Sequence, residues 1–343
     1  MSGGNAAFAS QPRGIWSHGF AEGAGGVNLH YAEARPDGDL EHAPLAILLH
    51  GFPEFWWSWR LQLPALAAAG YRAITPDLRG YNLSDAPSRV EDYELDLLTE
   101  DVQRLIAHMG RERAVIVGHD WGGAVAWRFA MDYPSWVERL VVMNAPHPER
   151  MAEAFGGRPN IRQISRSWYM FVFQIPWLPE RWLAINDYER IGLIFRDTAA
   201  HPEAFPPEVL QEYRRAAARR GLTGPIHFYR AAVRAGAQES RSRLGSRLNG
   251  LGETFEHIFG GPGAEPVSYP QIEAPTLLLW GERDTALGRE LTNDMESLFT
   301  GPFELTYLPD SGHWVQQEAA EDVNRLMLEF LERYRDDQGR TSG

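Results

Sequence analysis

The feature that most constrains this chain is a short run of β-branched residues that ends in a glycine-flanked turn. Val115-Ile116-Val117 leads into Gly118-His119-Asp120-Trp121-Gly122, and an alanine-containing helical segment follows to about Tyr133. The pattern predicts a strand, a tight turn and a helix. Glycines at both ends of the turn suit a backbone too tight for Cβ atoms. Such a strained turn would push the side chain of Asp120 into the open at the top of a sheet.

A carboxylate in that position has a chemistry of its own. Asp120 could attack a carbon atom directly and form an ester with the enzyme, without a base to activate it. The simpler alternative is an ordinary loop between a strand and a helix, in which the aspartate only caps the helix. The turn by itself leaves both interpretations open, and four further stretches bear on the choice.

The turn resembles the nucleophile elbow of the α/β-hydrolase fold, in the aspartate-nucleophile branch that holds epoxide hydrolases and haloalkane dehalogenases. The resemblance implies an α/β fold with a mostly parallel eight-stranded sheet flanked by helices. It also implies a helical cap, or lid, inserted between two strands. The predicted units are a first core segment at 14–146, a lid at 147–270 and a second core segment at 271–335. A glycine-rich stretch at about 236–267 looks like an excursion from the family pattern.

A second stretch, at 50–60, follows a buried apolar strand. Its sequence H-G-F-P-E-F-W-W-S-W-R resembles the oxyanion loop of the same family, in the epoxide-hydrolase form. The resemblance implies that the backbone N–H groups of Phe52 and Trp121 form an oxyanion hole. The Phe52–Pro53 bond is predicted to be cis, because tight turns are where cis-proline is found. Trp57 and Trp121 are predicted to bind substrate, with core packing as the alternative for Trp57.

A third stretch, D-L-R-G-Y-N-L-S at 77–84, resembles the family loop D-x-R-G-x-G-x-S. Asn82 stands where the family usually has glycine. Asparagine also tolerates a positive φ, so the departure is mild. Arg79 is predicted to be structural and to hold loops together.

Two further stretches supply an acid and a histidine, each just past a strand end. Asp284 lies in W-G-E-R-D, and His313 lies in P-D-S-G-H-W. The chain order Asp120, Asp284, His313 matches the nucleophile, acid, histidine order of α/β-hydrolases. Parallel strand ends share one edge of a sheet, so the three can converge there. Glu282 is close enough in sequence to serve as the acid instead.

Two segments of the predicted lid separate the candidate reactions. G-L-T-G-P-I-H-F-Y-R at 221–230 resembles the epoxide-hydrolase stretch G-x-x-G-P-x-N-W-Y-R, whose tyrosine donates to the epoxide oxygen. This maps the donor onto Tyr229 and puts Phe228, in place of the usual tryptophan, in the substrate pocket. W-Y-M-F-V-F-Q-I-P at 168–176 resembles the other lid segment and maps a second donor onto Tyr169. Plain packing is the alternative for both phenols.

Composition limits the partners. The formal net charge of −13 disfavours nucleic acid, and the lack of cysteine excludes disulfides and thiolate chemistry. The N-terminus lacks the apolar core of a signal peptide, and no apolar run reaches the roughly 20 residues that span a bilayer. We therefore expect a cytoplasmic protein with no membrane partner. No metal-ligand cluster is apparent, and no metal or organic cofactor is expected.

The prediction is an epoxide hydrolase that converts a small apolar epoxide to a vicinal diol, in line with a role in detoxification. A haloalkane dehalogenase would use the same Asp120, Asp284 and His313, but it must also cradle a halide, and Phe52 offers no side-chain donor. This chain lacks the arginines that a fluoroacetate-type dehalogenase has after its nucleophile. It also lacks the nucleophilic serine of a serine esterase, because position 120 is aspartate. A non-catalytic protein on the same fold is the alternative from another class. The sequence leaves the oligomeric state open, a homo-oligomer included.

Overall fold

The computed structural model describes residues 15–155, 160–244 and 269–335. Within these residues eight strands form one sheet. Their bounds are β1 Ser17–Glu22, β2 Asn28–Ala34, β3 Leu45–Leu49, β4 Arg72–Pro76, β5 Ala114–His119, β6 Val137–Met143, β7 Thr276–Gly281 and β8 Phe303–Leu308.

The strand order is β1-β2-β4-β3-β5-β6-β7-β8. β1 pairs with β2, and β2 with β4, in antiparallel register, whereas every later neighbouring pair is parallel. The parallel strands therefore end along one edge, and β5 ends near the middle of it. Asp120 follows β5 directly, so the sheet places this carboxylate where several loops meet.

Helices lie between and after these strands. Their bounds are α1 Gln62–Ala68, α2 Leu95–His108, α3 Trp121–Asp132, α4 Pro148–Phe155, α5 Ile161–Arg166, α6 Trp168–Val172, α7 Leu178–Leu183, α8 Ile185–Thr198, α9 Pro207–Arg220, α10 Thr223–Leu244, α11 Val315–Glu318 and α12 Ala320–Arg333. Single 3-10 turns include Trp56–Trp59 and Val90–Tyr93. In the part of the chain that the structure describes, no helix is both long and apolar enough to cross a membrane.

Both faces of the sheet are covered, as the continuous apolar strands require. Along β3, Leu45, Ile47 and Leu49 belong to one buried cluster, whereas Ala46 and Leu48 belong to another. Because successive strand residues point to opposite faces, these are two separate cores. Helices α2 and α3 contribute to the first core, and α1 and α12 to the second.

The predicted fold class is confirmed, with an eight-stranded, mostly parallel sheet and helices on both faces. The described residues between β6 and β7 form the helices α4 to α10, joined by turns and a short 3-10 segment. The predicted excursion at about 236–267 needs a correction, because α10 continues through Gly236 and ends at Leu244. A single glycine costs a helix only about 1 kcal/mol, so it need not end one. The remainder of that stretch lies outside the described residues.

Arg79 connects three parts of the core, in agreement with its predicted structural role. Its Nε and Nη2 donate to the two carboxylate oxygens of Asp101 on α2, each at 2.7 Å. It also donates to the carbonyl oxygens of Asp92, at 2.6 Å, and Ala24, at 3.2 Å. Only 2% of the Arg79 side chain is exposed. The guanidinium thus pins the turn between β1 and β2 to α2.

We predict that Arg79→Met lowers the free energy of unfolding by about 3–5 kcal/mol, because Asp101 would be left buried and unpaired. Urea unfolding followed by circular dichroism measures this loss. The matched control is Arg104→Met on the same helix as Asp101, since the exposed Arg104–Glu100 pair contributes at most about 0.5 kcal/mol. Equal losses in the two variants would contradict the structural role of Arg79.

Candidate active site

The turn after β5 holds Asp120 in a conformation that glycine neighbours make possible. Asp120 has φ 50° and ψ −119°, outside the region that side chains favour. A Cβ on Gly122 would lie 2.1 Å from the carbonyl oxygen of Leu49, and one on Gly118 would lie 2.4 Å from the carbonyl oxygen of Gly122. Backbone therefore packs on backbone at both ends of the turn, and the strain falls on Asp120.

The loop after β3 brings a donor to this carboxylate. The backbone N–H of Phe52 donates to Asp120 Oδ1 at 2.8 Å, and the Phe52–Pro53 bond is cis as predicted. Trp121 begins α3, where backbone N–H groups lack partners within the helix and attract negative charge. Burial by itself would raise the pKa of Asp120, but the charge of His313 and the Phe52 N–H hold that pKa below its usual range.

His313 lies between two carboxylates. Its Nδ1 is 2.7 Å from Asp284 Oδ2, and its Nε2 faces Asp120 Oδ2 at 3.7 Å. Burial opposes the protonation of His313. The charges of Asp284 and Asp120 outweigh this and raise its pKa well above the usual value. The three residues that the sequence analysis singled out therefore converge, although they lie up to 193 positions apart in sequence.

Of the two candidate acids, Asp284 is the one that contacts the histidine. Asn144 Nδ2 donates to Asp284 Oδ2 at 2.7 Å, and two backbone N–H groups, of Ala286 and Leu287, donate to Oδ1 at 2.7 and 2.9 Å. Burial favours the protonated acid, but His313 and these donors lower the pKa of Asp284. Glu282 instead forms an ion pair with Arg289 at the surface.

Another buried carboxylate, that of Glu54, connects the loops that carry Phe52, Asp120 and His313. Its Oε2 accepts the Gly51 N–H at 3.0 Å and lies 2.9 Å from Nδ1 of His119, the residue before Asp120. Its Oε1 accepts the side-chain amides of Gln316 and Gln317, each at 3.0 Å. His119 Nε2 in turn lies 2.9 Å from the carbonyl oxygen of His313.

Asn144, Glu54 and His119 were not predicted as site residues. Glu54 and His119 stand inside the motifs around Phe52 and Asp120, but nothing in sequence distinguishes a buried hydrogen-bonding side chain from an exposed one. Asn144 offers a weak signal, because it ends the buried strand β6 and asparagine readily adopts a positive φ, here 38°.

The two predicted phenols lie together beside Trp121. The ring centroids of Tyr169 and Tyr229 are 5.9 Å apart, and Tyr229 packs edge-on against Trp121 at 4.9 Å. Burial and the charge of Asp120 raise the pKa of both tyrosines. Both phenols therefore stay protonated near neutral pH, and the negative charge of Asp120 acts on both of them.

The other two predicted pocket residues, Phe228 and Trp57, lie in different surroundings. Phe228 packs against Trp121, with centroids 5.6 Å apart, but it is almost fully buried. Trp57 lies among the aromatic residues near β1. The ring packs against Trp16, at 5.5 Å, and beneath the guanidinium of Arg60, at 5.3 Å. Substrate binding by Trp57 stays a prediction beside these packing contacts.

Within 15–155, 160–244 and 269–335, no cluster of three or more His, Asp or Glu side chains is arranged to hold a metal ion.

Comparison with known proteins places this geometry in a family. Residues 44–320 match the family model described as the alpha/beta hydrolase fold. Epoxide hydrolase 3 of Xenopus tropicalis is 36% identical over 311 residues, which cover 89% of this chain and 75% of that protein. The AB hydrolase superfamily protein YfhM of Bacillus subtilis is 38% identical, over 89% of this chain and 95% of its own length.

A solved structure agrees with the sequence relatives. The crystal structure of the Bacillus megaterium epoxide hydrolase in complex with an inhibitor superposes with a TM-score of 0.75 at 26% identity. The superposition covers 92% of this chain and 100% of that one. The chain therefore belongs to the α/β-hydrolase family, among its epoxide hydrolases.

Proposed function

We propose that this protein hydrolyses an apolar epoxide to a vicinal diol through a covalent ester on Asp120. The observation that carries the proposal is the pairing of an ionised carboxylate with two protonated phenols beside it. Ring opening needs a nucleophile at carbon and an acid at oxygen at the same time. Asp120 can supply the first, and Tyr169 and Tyr229 the second.

In the first step Asp120 Oδ2 attacks an oxirane carbon, because Oδ1 is already held by the Phe52 N–H. The new bond joins Oδ2 to carbon while the carbon–oxygen bond of the ring breaks. The epoxide oxygen takes a proton from a phenol as its charge develops. The product of this step is a hydroxyalkyl ester on Asp120.

In the second step His313 takes a proton from water, and the hydroxide attacks the Asp120 carbonyl carbon. The negative charge develops on Oδ1, where the N–H groups of Phe52 and Trp121 stabilise it. Collapse of the tetrahedral intermediate breaks its bond to the alkyl oxygen, which takes the proton of the added hydroxyl group, so the diol is released and the carboxylate restored. The proton on His313 then returns through solvent to the phenolate that the first step left. Asp284 orients the imidazole and stabilises its charged form.

The pKa of His313 fits this order of steps. In the free enzyme both Asp120 and Asp284 raise that pKa. Formation of the ester removes the charge of Asp120, so the pKa of His313 falls. The histidine thus becomes a base only after the ester that it must hydrolyse has formed.

The helices between β6 and β7 are proposed as the lid, which carries Tyr169 and Tyr229 over the core at 14–146 and 271–335. Two contacts support this. A Cβ on Gly80 of the core would lie 2.9 Å from Cα of Gly224, and Phe173 packs on Phe52 at 5.3 Å. The aromatic lining favours an apolar substrate. Location in the cytoplasm, a homo-oligomer and a role in detoxification stay predictions.

A haloalkane dehalogenase is the main alternative, since it would use the same nucleophile, acid and histidine. Trp121 could contribute one halide donor. The Phe52 side chain packs on Phe173 and Tyr229 and has no donor. The two phenols would have no role in halide departure, so the epoxide is favoured.

We predict that His313→Gln accumulates the ester, because the second step loses its base and slows by at least ~10²-fold. The variant is mixed separately with styrene oxide and with a bromoalkane, and the intact protein is weighed. A mass gain equal to the whole epoxide, located on the peptide that carries Asp120, is expected.

The control is the double variant Asp120→Asn/His313→Gln, which should gain no mass from either compound. A gain of the alkyl group without its halogen, seen only with the bromoalkane, would assign a dehalogenase. The absence of any adduct in a folded His313→Gln variant would contradict covalent catalysis and favour a non-catalytic role.

A second prediction concerns pH. In the ester form the charge of Asp284 still raises the pKa of His313, so the neutral, basic form of the imidazole becomes more populated as the pH rises. Asp120 has a lowered pKa and stays ionised, so ester formation should not share this dependence. The fraction of wild-type enzyme found as ester at steady state should therefore fall from mildly acidic to mildly alkaline pH. Rapid acid quenching followed by mass spectrometry measures that fraction. An ester fraction that rises with pH would contradict the role of His313.

A further inference from the structure

Arg230 directly follows Tyr229 on α10, and its guanidinium reaches across to the segment that follows Tyr169. Nε donates to the Phe173 carbonyl oxygen at 2.9 Å, and Nη2 to the Ile175 carbonyl oxygen at 2.9 Å. Nη1 forms an ion pair with Glu180 Oε1 at 2.6 Å. One side chain thus holds three groups on the segment 173–180.

The segment that Arg230 contacts joins two short helices, α6 and α7. Tyr169 lies on α6, which has only five residues, and the carbonyl groups just past a helix end have no partner within the helix. A cation at a helix C-terminus satisfies these carbonyls and complements the helix dipole. The orientation of α6 relative to α10 therefore depends on the Arg230 contacts.

Packing couples those contacts to the phenols. The Phe173 ring packs on Tyr229 with centroids 4.9 Å apart and on Tyr169 at 5.8 Å. Gln174 adds a weaker hydrogen bond, in which its Nε2 donates to the Tyr229 carbonyl oxygen at 3.4 Å. A shift of the backbone at Phe173 would move one phenol relative to the other.

The geometry requires arginine. The Arg230 and Glu180 side chains are only 11% and 15% exposed, so their charges are poorly screened by water. The three acceptors spread around the edge of the planar guanidinium, whereas a lysine ammonium is a single point of charge that cannot reach all of them.

We propose that Arg230 is a positioning residue for ring opening, which fixes Tyr169 and Tyr229 at the separation that a single epoxide oxygen needs. The inference rests on the proposed function, because it assigns a role in the step that uses the phenols. Arg230 acts through the backbone at Phe173 and Ile175 and has no role in ester hydrolysis, which depends on His313 and the Phe52 loop.

The test measures the two steps separately. Arg230→Met is mixed with styrene oxide, and rapid-quench mass spectrometry follows the rise and decay of the ester. Ester formation should slow by about 10–100-fold, because displacement of a positioned donor by about 1 Å costs that order of rate. Ester decay should change by less than about 2-fold, because its machinery lies on other loops. Arg230→Lys should slow ester formation by a smaller factor.

The matched control is Arg234→Met, one turn further along α10. Arg234 pairs with Glu91 at the surface, where 53% and 45% of the two side chains are exposed. It should leave both rates unchanged. Glu180→Gln keeps the two carbonyl contacts of Arg230, so it tests the ion pair if Arg230→Met does not fold. It should slow ester formation and leave decay unchanged.

Different results would refute the positioning role of Arg230 and the proposed hydrolysis of epoxides. Failure of the wild-type protein to form an ester would refute the proposed function itself. A wild-type ester, with unchanged formation rates in folded Arg230→Met and Glu180→Gln, would overturn only the positioning role. Equal slowing of both steps would also overturn it, since it would mark Arg230 as a general stabiliser of the lid.

Discussion

A largely buried negative charge at the end of β5 is the constraint on which the rest of this structure depends. Removing a carboxylate from water is costly unless hydrogen bonds and opposite charge compensate it. Asp120 receives an N–H from Phe52 and the charge of His313, which come from loops after β3 and β8. The parallel sheet brings those loops to one edge, and the glycine-lined turn presents the carboxylate there. The compensating groups are also the ones that the proposed chemistry needs.

Two further carboxylates keep that arrangement in place. Glu54 joins the loop of Phe52 to the residue before Asp120 and to the two glutamines after His313. Asp284 is held by Asn144 and by backbone N–H groups, and it fixes the histidine from the far side. Each loop that carries a proposed catalytic group is therefore held by a buried polar side chain. Little reorganisation of these loops would be needed when charge develops in the proposed reaction.

Sequence predicts those features that depend on local pattern and fails where contacts between distant segments decide. The strand, tight turn and helix around Asp120 form as predicted, and the positive φ of Asn82 follows from residue type. Side-chain direction does not follow from local pattern. The ring of Trp57 packs against Trp16 just before β1, and the role of Glu54 depends on partners over 60 positions away. Helix α10 continues through Gly236, because one glycine does not decide where a helix ends.

The central claim is that water attacks the enzyme ester and never the epoxide. A single turnover in ¹⁸O-labelled water, with the wild-type enzyme in excess over the epoxide, tests this directly. The account predicts an unlabelled diol, because its new oxygen comes from Asp120, and one ¹⁸O atom in the peptide that carries Asp120. A labelled diol with an unlabelled Asp120 peptide would mean that water opens the ring directly, and it would contradict the ester mechanism.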